Sequence, residues 1–119
     1  MAELDRWRHC PRCAQPLRAE ARSVHCSSCG LTVYAKPAPA VCALVVDDDG
    51  RVLLGRRAHD PAKGLWDVLG GFMDEGEQTF ETLRRELREE TGLEVEPLEF
   101  VAAVTDTYGP GGHFTLNLC

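Results

Sequence analysis

No run of apolar residues in this 119-residue chain approaches the roughly 20 that a membrane-spanning helix requires. The first residues, Met1-Ala2-Glu3-Leu4-Asp5-Arg6, are charged and lack the apolar stretch of a secretory signal. Internal repeats and low-complexity tracts are also lacking, which excludes collagen-like and fibrous architectures. What remains is an ordinary globular balance, 44% apolar and 27% charged, so wholesale disorder is excluded and a packed core is feasible. These absences lead to the expectation of a soluble, cytoplasmic protein of one compact domain with, at most, a small appendage.

The net charge of -6 is unevenly placed. Residues 1–40 carry six Lys/Arg against three Asp/Glu, and residues 41–119 carry seven against sixteen. An acidic body argues against non-specific adhesion to nucleic acid and carries no strong nucleic-acid signal. It accommodates a phosphate substrate only if metal cations first neutralise its carboxylates.

Six cysteines without a secretion signal point to metal ligation before disulfides. Cys10-Pro-Arg-Cys13 is followed, after twelve residues, by Cys26-Ser-Ser-Cys29-Gly30. Each Cys-x-x-Cys can fold into a knuckle with both sulfurs facing one ion, and two knuckles supply the four thiolates of a tetrahedral zinc site. Two disulfides or four free thiols are the alternatives, which a cytosolic setting disfavours. Four protein ligands leave no open position, so the zinc is expected to be structural. His9 and His25 are expected on the solvent side. Of the remaining cysteines, Cys42 reads as a core residue, whereas the surroundings of Cys119 are not legible.

Lys36-Pro-Ala-Pro-Ala40 reads as an extended connector. The expected organisation is therefore a zinc ribbon at 1–36, a linker at 37–40 and a second domain at 41–119. In that domain Val41–Val46 and Arg51–Gly55 form a hairpin about Asp47-Asp-Asp-Gly50. Leu65–Leu69 is a short strand leading into Gly70-Gly71. Glu77 to about Thr91 is a helix, with Phe80, Leu83 and Leu87 on one stripe and Gly92 as terminator. Strands are expected at 94–96, 98–107 and 113–119, with a turn at Tyr108–Gly112.

The helix places Glu86 and Glu90 about 40° apart, with Glu89 about 60° further round. Three carboxylates so close are unfavourable without a cation among them, and magnesium or manganese suits an all-oxygen ligand set. An isolated helix of this composition reads equally as a solvated acidic face paired with Arg84, Arg85 and Arg88. The strand and glycine-rich loop ahead of it are harder to explain as solubility alone.

The segment from Gly71 to Leu93 resembles the Nudix box, G-x5-E-x7-R-E-U-x-E-E-x-G-U with U aliphatic, at every defined position: Gly71, Glu77, Arg85, Glu86, Leu87, Glu89, Glu90, Gly92 and Leu93. With Gly64-Leu-Trp66, Leu53-Leu-Gly-Arg-Arg57 and the ribbon in front, the resemblance covers nearly the whole chain. The ribbon-plus-box arrangement resembles the NADH pyrophosphatase branch and its bacterial relatives. It implies an α+β fold, the Nudix α/β/α sandwich with a mixed sheet, preceded by a small zinc ribbon. It also implies that Glu86, Glu89, Glu90 and the Gly70 carbonyl ligate magnesium or manganese, and that Arg85 and Glu77 orient the carboxylates. The activity implied is divalent-metal-dependent hydrolysis of the pyrophosphate bond of a nucleoside diphosphate linked to another moiety, such as NADH or ADP-ribose. The rival reading is a non-catalytic ribbon–Nudix module that binds a nucleotide or RNA.

Two departures accompany the resemblance. Leu69 stands where many members have proline, and the Ser-Gln-Pro-Trp signature of the NADH pyrophosphatases is not found. The resemblance also implies further strands and a closing helix, so the Nudix-like part is expected to be incomplete at its C-terminus and to expose an apolar patch, with self-association (a homodimer being one form) or weak activity as the consequence. Arg56 and Arg57 are candidates for substrate phosphate, and Trp66 for base stacking, though Trp66 reads more readily as a core or loop anchor. Phe72 and Tyr108 are weaker stacking candidates. His59 and His113 are expected at the surface.

Overall fold

The computed structural model describes residues 4–109 and 112–119. Pro110 and Gly111, assigned above to a turn, lie outside the described residues, as does the start of the N-terminal segment.

The N-terminal part opens with a 3-10 turn at Leu4–Arg6 and continues into three short strands, β1 (Arg18–Ala19), β2 (Ser23–His25) and β3 (Thr32–Tyr34). They form a sheet in that order, and Val24 at its centre is fully buried. Such a sheet is too small to hold itself together by apolar burial alone.

From Ala38 the strands are β4 (Ala38–Ala43), β5 (Val45–Val46), β6 (Val52–Leu53), β7 (Gly55–Arg56), β8 (Trp66–Asp67), β9 (Leu69–Phe72), β10 (Ala103–Tyr108) and β11 (His113–Leu118). The helix α1 spans Thr79–Thr91 between β9 and β10. The main sheet has the order β10-β11-β4-β9. It is mixed, since β4 and β11 run parallel whereas β10–β11 and β4–β9 are antiparallel. The α+β class with a mixed sheet is thus as expected. Ala38–Ala40, read from sequence as part of a connector, are extended but already pair with Thr115–Asn117.

The hairpin forms as β5–β6, and its turn is tied by Asp47, whose Oδ1 accepts the N–H groups of Asp49 and Arg51. The helix starts two residues later than expected, at Thr79, because Glu77 is engaged through its side chain by Arg85 and Thr82. The Glu81 carboxylate accepts the Gln78 N–H at its start, and Gly92, in the left-handed region at φ 74°, closes its end with N–H to Arg88 O. Leu87 is fully buried with Ala43 and Leu69, and Leu83, Val45 and Val95 pack on them. Phe80, expected on the same stripe, is instead 47% exposed.

The strands expected at 94–96 and from 98 are absent, since residues 93–102 carry no regular structure. Arg88 and Arg84 bind Glu94 and Glu96, which draws the segment towards the helix, and Pro97 lacks the N–H a ladder needs. The second expected strand starts only at Ala103. Cys42 and Cys119 are joined by a disulfide, so metal ligation does not account for all six cysteines, and Cys42 is half-buried rather than a core thiol. Among the described residues no helix is long and apolar enough to cross a membrane.

Leu98 is 94% exposed, and Phe100 and Val101 close to it in sequence are exposed too, as is Phe114 elsewhere on the sheet. Patches of this kind drive association. Light scattering on the 119-residue chain is expected to show concentration-dependent self-association, and a monomer at all concentrations would contradict that expectation.

Candidate active site

Gly70 and Gly71 lie on β9, hydrogen-bonded to β4, and their backbone meets the helix carboxylates. The Gly70 N–H donates to Glu90 Oε2 at 3.1 Å. Gly71 is beside Glu86, and a Cβ there would come within 2.5–2.6 Å of the Glu86 carboxyl group. Gly70, at φ 144°, has no room for a side chain against the Val41 carbonyl. The two glycines therefore let a helix bearing carboxylates approach a strand backbone.

Arg85 is the hub of the loop and helix. Its Nε donates to Glu77 Oε1 at 2.6 Å, and Nη1 donates to Glu86 Oε1 at 2.7 Å and to Glu89 Oε2 at 3.4 Å. Nη2 donates to Glu77 Oε2 and to the Phe72 carbonyl. These charge-assisted bonds raise the Arg85 pKa further and hold the Glu77 carboxyl at about 2, with the Thr82 hydroxyl and the Asp74 N–H also donating to it. Burial, and then the charges of Glu86, Asp67 and Glu89, push the Glu90 carboxyl up against the Gly70 N–H. The three helix carboxylates thus share a flank but are spread among Arg85 and Gly70. Among the described residues, the only group of three or more potential ligands with all ligand atoms within 4.8 Å is that of the four cysteines.

The Glu77 value has a consequence in acid. Its carboxyl lies below the usual 4.5, so its link to Arg85 contributes stability in full above about pH 4.5 and loses it as the pH falls towards 2. Glu77→Gln is expected to lower the melting temperature at pH 7 and to flatten its fall between pH 4.5 and 2. Parallel melting curves for variant and parent across that range would refute the assignment.

The cysteines form two matched knuckles. Ala14 N–H donates to Cys10 O and Gly30 N–H to Cys26 O, at 2.8 and 2.9 Å. Ala14 and Gly30 both take positive φ, 61° and 75°. The glycine was legible in the sequence, but its alanine counterpart was not. Cys10–Cys29 and Cys13–Cys26 sulfurs lie 3.6 Å apart. A tetrahedron with metal–sulfur bonds of about 2.3 Å has edges of about 3.8 Å. The Cys29 N–H, against the opposing effect of burial, lowers the Cys26 thiol to about 7. Cys13 is held up at about 12, because burial and the neighbouring sulfurs outweigh the Gln15 N–H. Four sulfurs so close could ionise together only with a cation between them.

A cavity of about 490 Å³ lies against β4, β9, β10 and β11 and is lined in part by Arg57, Asp67, Gly70, Gly71, Phe72 and Tyr108. Arg57 donates from Nη1 to Asp67 Oδ2 at 2.9 Å, and the Tyr108 and Phe72 rings meet edge-to-face at 5.5 Å. Arg56 and Trp66, paired across β7–β8, are not in this lining. Their side chains alternate away from Asp67. The Arg56 guanidinium lies 5.9 Å from the Trp66 ring centroid, and Trp66 is 68% exposed, which overturns the reading of it as a core residue. Asp67 was missed by the sequence reading, because it stands outside every motif and only strand pairing brings it to Arg57.

The NUDIX domain profile matches residues 36–117. The chain belongs to the Nudix family. A mitochondrial NAD(P)H pyrophosphatase of Homo sapiens is 41% identical over 102 residues, 83% of this chain and 28% of the relative. An NAD-capped RNA hydrolase, NudC, of Stutzerimonas stutzeri is 33% identical over 98 residues, 81% of this chain and 35% of the relative. This Nudix chain therefore spans about a third of the length of the curated relatives it matches. Among solved structures, a Nudix hydrolase of Nitrosomonas europaea aligns with TM-score 0.70 and 27% identity over 95% of this chain and 68% of the other. The Nudix domain of Shewanella oneidensis NrtR, solved with ADP ribose, aligns with TM-score 0.62 and 27% identity over 72% of this chain and 59% of the other.

Proposed function

We propose that this Nudix domain carries a divalent-cation-dependent pyrophosphohydrolase site for a nucleoside diphosphate linked to another moiety. The observation that carries the reading is the approach of Glu90 and Glu86, on the flank of α1 that also bears Glu89, to the backbone of Gly70 and Gly71, two residues that themselves line a cavity large enough for a nucleoside. The donor set is hard oxygen, and burial, with the like charges of Glu86, Asp67 and Glu89, presses the Glu90 carboxyl upward, a pressure that a cation beside it would relieve. Magnesium or manganese would be held by Glu86, Glu89, Glu90 and the Gly70 carbonyl. Such an ion neutralises phosphate charge and makes bound water more acidic. Arg85 orients Glu86 and Glu89 and is itself fixed by Glu77. A helix glutamate accepts the proton of the attacking water. The named relatives supply the substrate class: NAD(P)H, an NAD cap and ADP ribose all contain a nucleoside diphosphate joined through its outer phosphate.

The N-terminal cysteines would hold structural zinc, and residues 1–36 would form a ribbon domain ahead of the Nudix domain. Incubation with NADH, NAD and ADP-ribose, with and without magnesium, tests the activity by chromatography of released mononucleotide. Release that requires the added cation is expected. Nucleotide binding without release from any of the three would leave a binding module in place of an enzyme.

A further inference from the structure

The loop between β7 and β8 is tied chiefly through Arg57, beside an Arg56 Nε–H donated to the Gly64 carbonyl. Arg57 donates its backbone N–H to Leu65 O and accepts from Gly64 N–H, and its side-chain Nε donates to the Pro61 carbonyl at 2.6 Å. The other end of the guanidinium turns to the cavity. Nη1 donates to Asp67 Oδ2 at 2.9 Å and Nη2 to the Tyr108 hydroxyl at 3.5 Å. Of the five N–H groups of an arginine, two are left without one of these partners. The side chain is 24% exposed, whereas that of Asp67 is 46% exposed. Arg57 therefore sits as a fixed fork in the wall of the cavity that also contains Gly70 and Gly71. Fixing matters because a guanidinium held in one orientation loses less freedom on gripping an anion, and its fork matches two phosphate oxygens.

We propose that Asp67 and Tyr108 are positioning residues that hold Arg57 as the phosphate-recognising group of this cavity, and so set its preference for a nucleoside diphosphate over the bare nucleoside. This rests on the reading of the site as one for nucleotides, and it assigns the recognition to side chains outside the glycine–glutamate motif. Asp67 acts against its own charge here. A carboxylate in the cavity repels phosphate, and only its grip on Arg57 makes it favourable to binding. The two effects have opposite signs, and a second substitution separates them.

The experiment measures binding of ADP and of adenosine by calorimetry, with magnesium present, to the whole chain and to Arg57→Ala, Asp67→Asn, Tyr108→Phe and the double variant Arg57→Ala/Asp67→Asn. Arg57→Ala is expected to weaken ADP by about tenfold or more and to leave adenosine unchanged. Asp67→Asn and Tyr108→Phe should weaken ADP by a smaller factor. In the Arg57→Ala background, Asp67→Asn should leave ADP unchanged or tighten it. Tightening by Asp67→Asn in both backgrounds would mean that Asp67 acts by charge alone and would overturn the proposal. So would equal loss of adenosine, or ADP binding indifferent to all three single changes. Tyr108→Phe keeps the ring that meets Phe72, so it carries the test if Asp67→Asn melts early. With ADP-ribose as substrate, both positioning variants should raise KM several-fold while kcat stays within about twofold. A parent chain that binds ADP but releases no mononucleotide would sink the hydrolase reading and leave this inference standing. A parent that binds no ADP would overturn the inference itself.

Discussion

Glu90→Gln is expected to reduce magnesium-dependent turnover by about 10²–10⁴-fold or to below detection, the range lost when a positioned proton acceptor is removed. The substitution is nearly isosteric, and the glutamine carbonyl can still accept the Gly70 N–H now received by Glu90 Oε2. What disappears is charge. In the parent, burial and the neighbouring Glu86, Asp67 and Glu89 already work against that charge. Its loss should therefore leave the metal-free fold as stable as before, or more stable by about 0.2–0.5 kcal/mol, the scale of a relieved like-charge pair. Activity and stability should thus move independently, the pattern of a functional carboxylate rather than a structural one. The same treatment of Glu86 and Glu89 separates the three. Glu86 is bound by Arg85 and packed against Gly71, so Glu86→Gln should cost stability as well as turnover. Glu89 is largely exposed and should resemble Glu90. Steady-state turnover beside melting curves for the three variants checks this, and unchanged turnover in all three would remove the helix flank from the site.

Local signals were legible where a short stretch decides its own conformation. Asp47-Asp-Asp-Gly50 binds its own backbone and makes a hairpin whatever surrounds it. The paired Cys-x-x-Cys knuckles repeat one geometry twice. The end of the helix at Gly92 follows from the left-handed turn that glycine admits. The illegible features depend on partners far along the chain. The parallel pairing of β4 with β11 joins residues about 77 apart in sequence, as does the Cys42–Cys119 bond. Residues 93–102 carry a strand-like composition, but Arg84 and Arg88 draw Glu96 and Glu94 towards α1. In the candidate site the same division holds. The helix carboxylates and Arg85 occupy one motif with a fixed period. Arg57 and Tyr108 were legible as separate candidates, but their meeting with Asp67 was not, since the three come from separate segments and Tyr108 is 51 residues from its hydrogen-bond partner Arg57.

Cys13→Ser is expected to release a bound zinc ion and unfold the N-terminal part of the chain, the largest stability effect among these substitutions. Structural zinc contributes about 10–16 kcal/mol in small zinc-dependent folds at pH 7. Little else holds this one. Its sheet has three strands of two or three residues, and its buried apolar side chains are few: Leu4, Val24 and the cysteines Cys10 and Cys26. A core of that size does not offset the conformational entropy of ordering some thirty residues. The serine hydroxyl is a poor substitute for a thiolate, so three sulfurs would be left around an ion that needs four ligands. The main sheet shares no strand with the ribbon sheet, and its core of Ala43, Leu69 and Leu87 is built wholly from residues after Ala40. Residues 41–119 should therefore keep their fold in the variant. Metal analysis should give about one zinc per parent chain and none in Cys13→Ser, and hydrogen exchange should speed up at Val24 and its neighbours while staying slow at Leu87. A zinc-free parent chain with slow exchange at Val24 would show that thiols and apolar contacts suffice, and a variant that loses protection at Leu87 as well would show that the two parts fold as one unit.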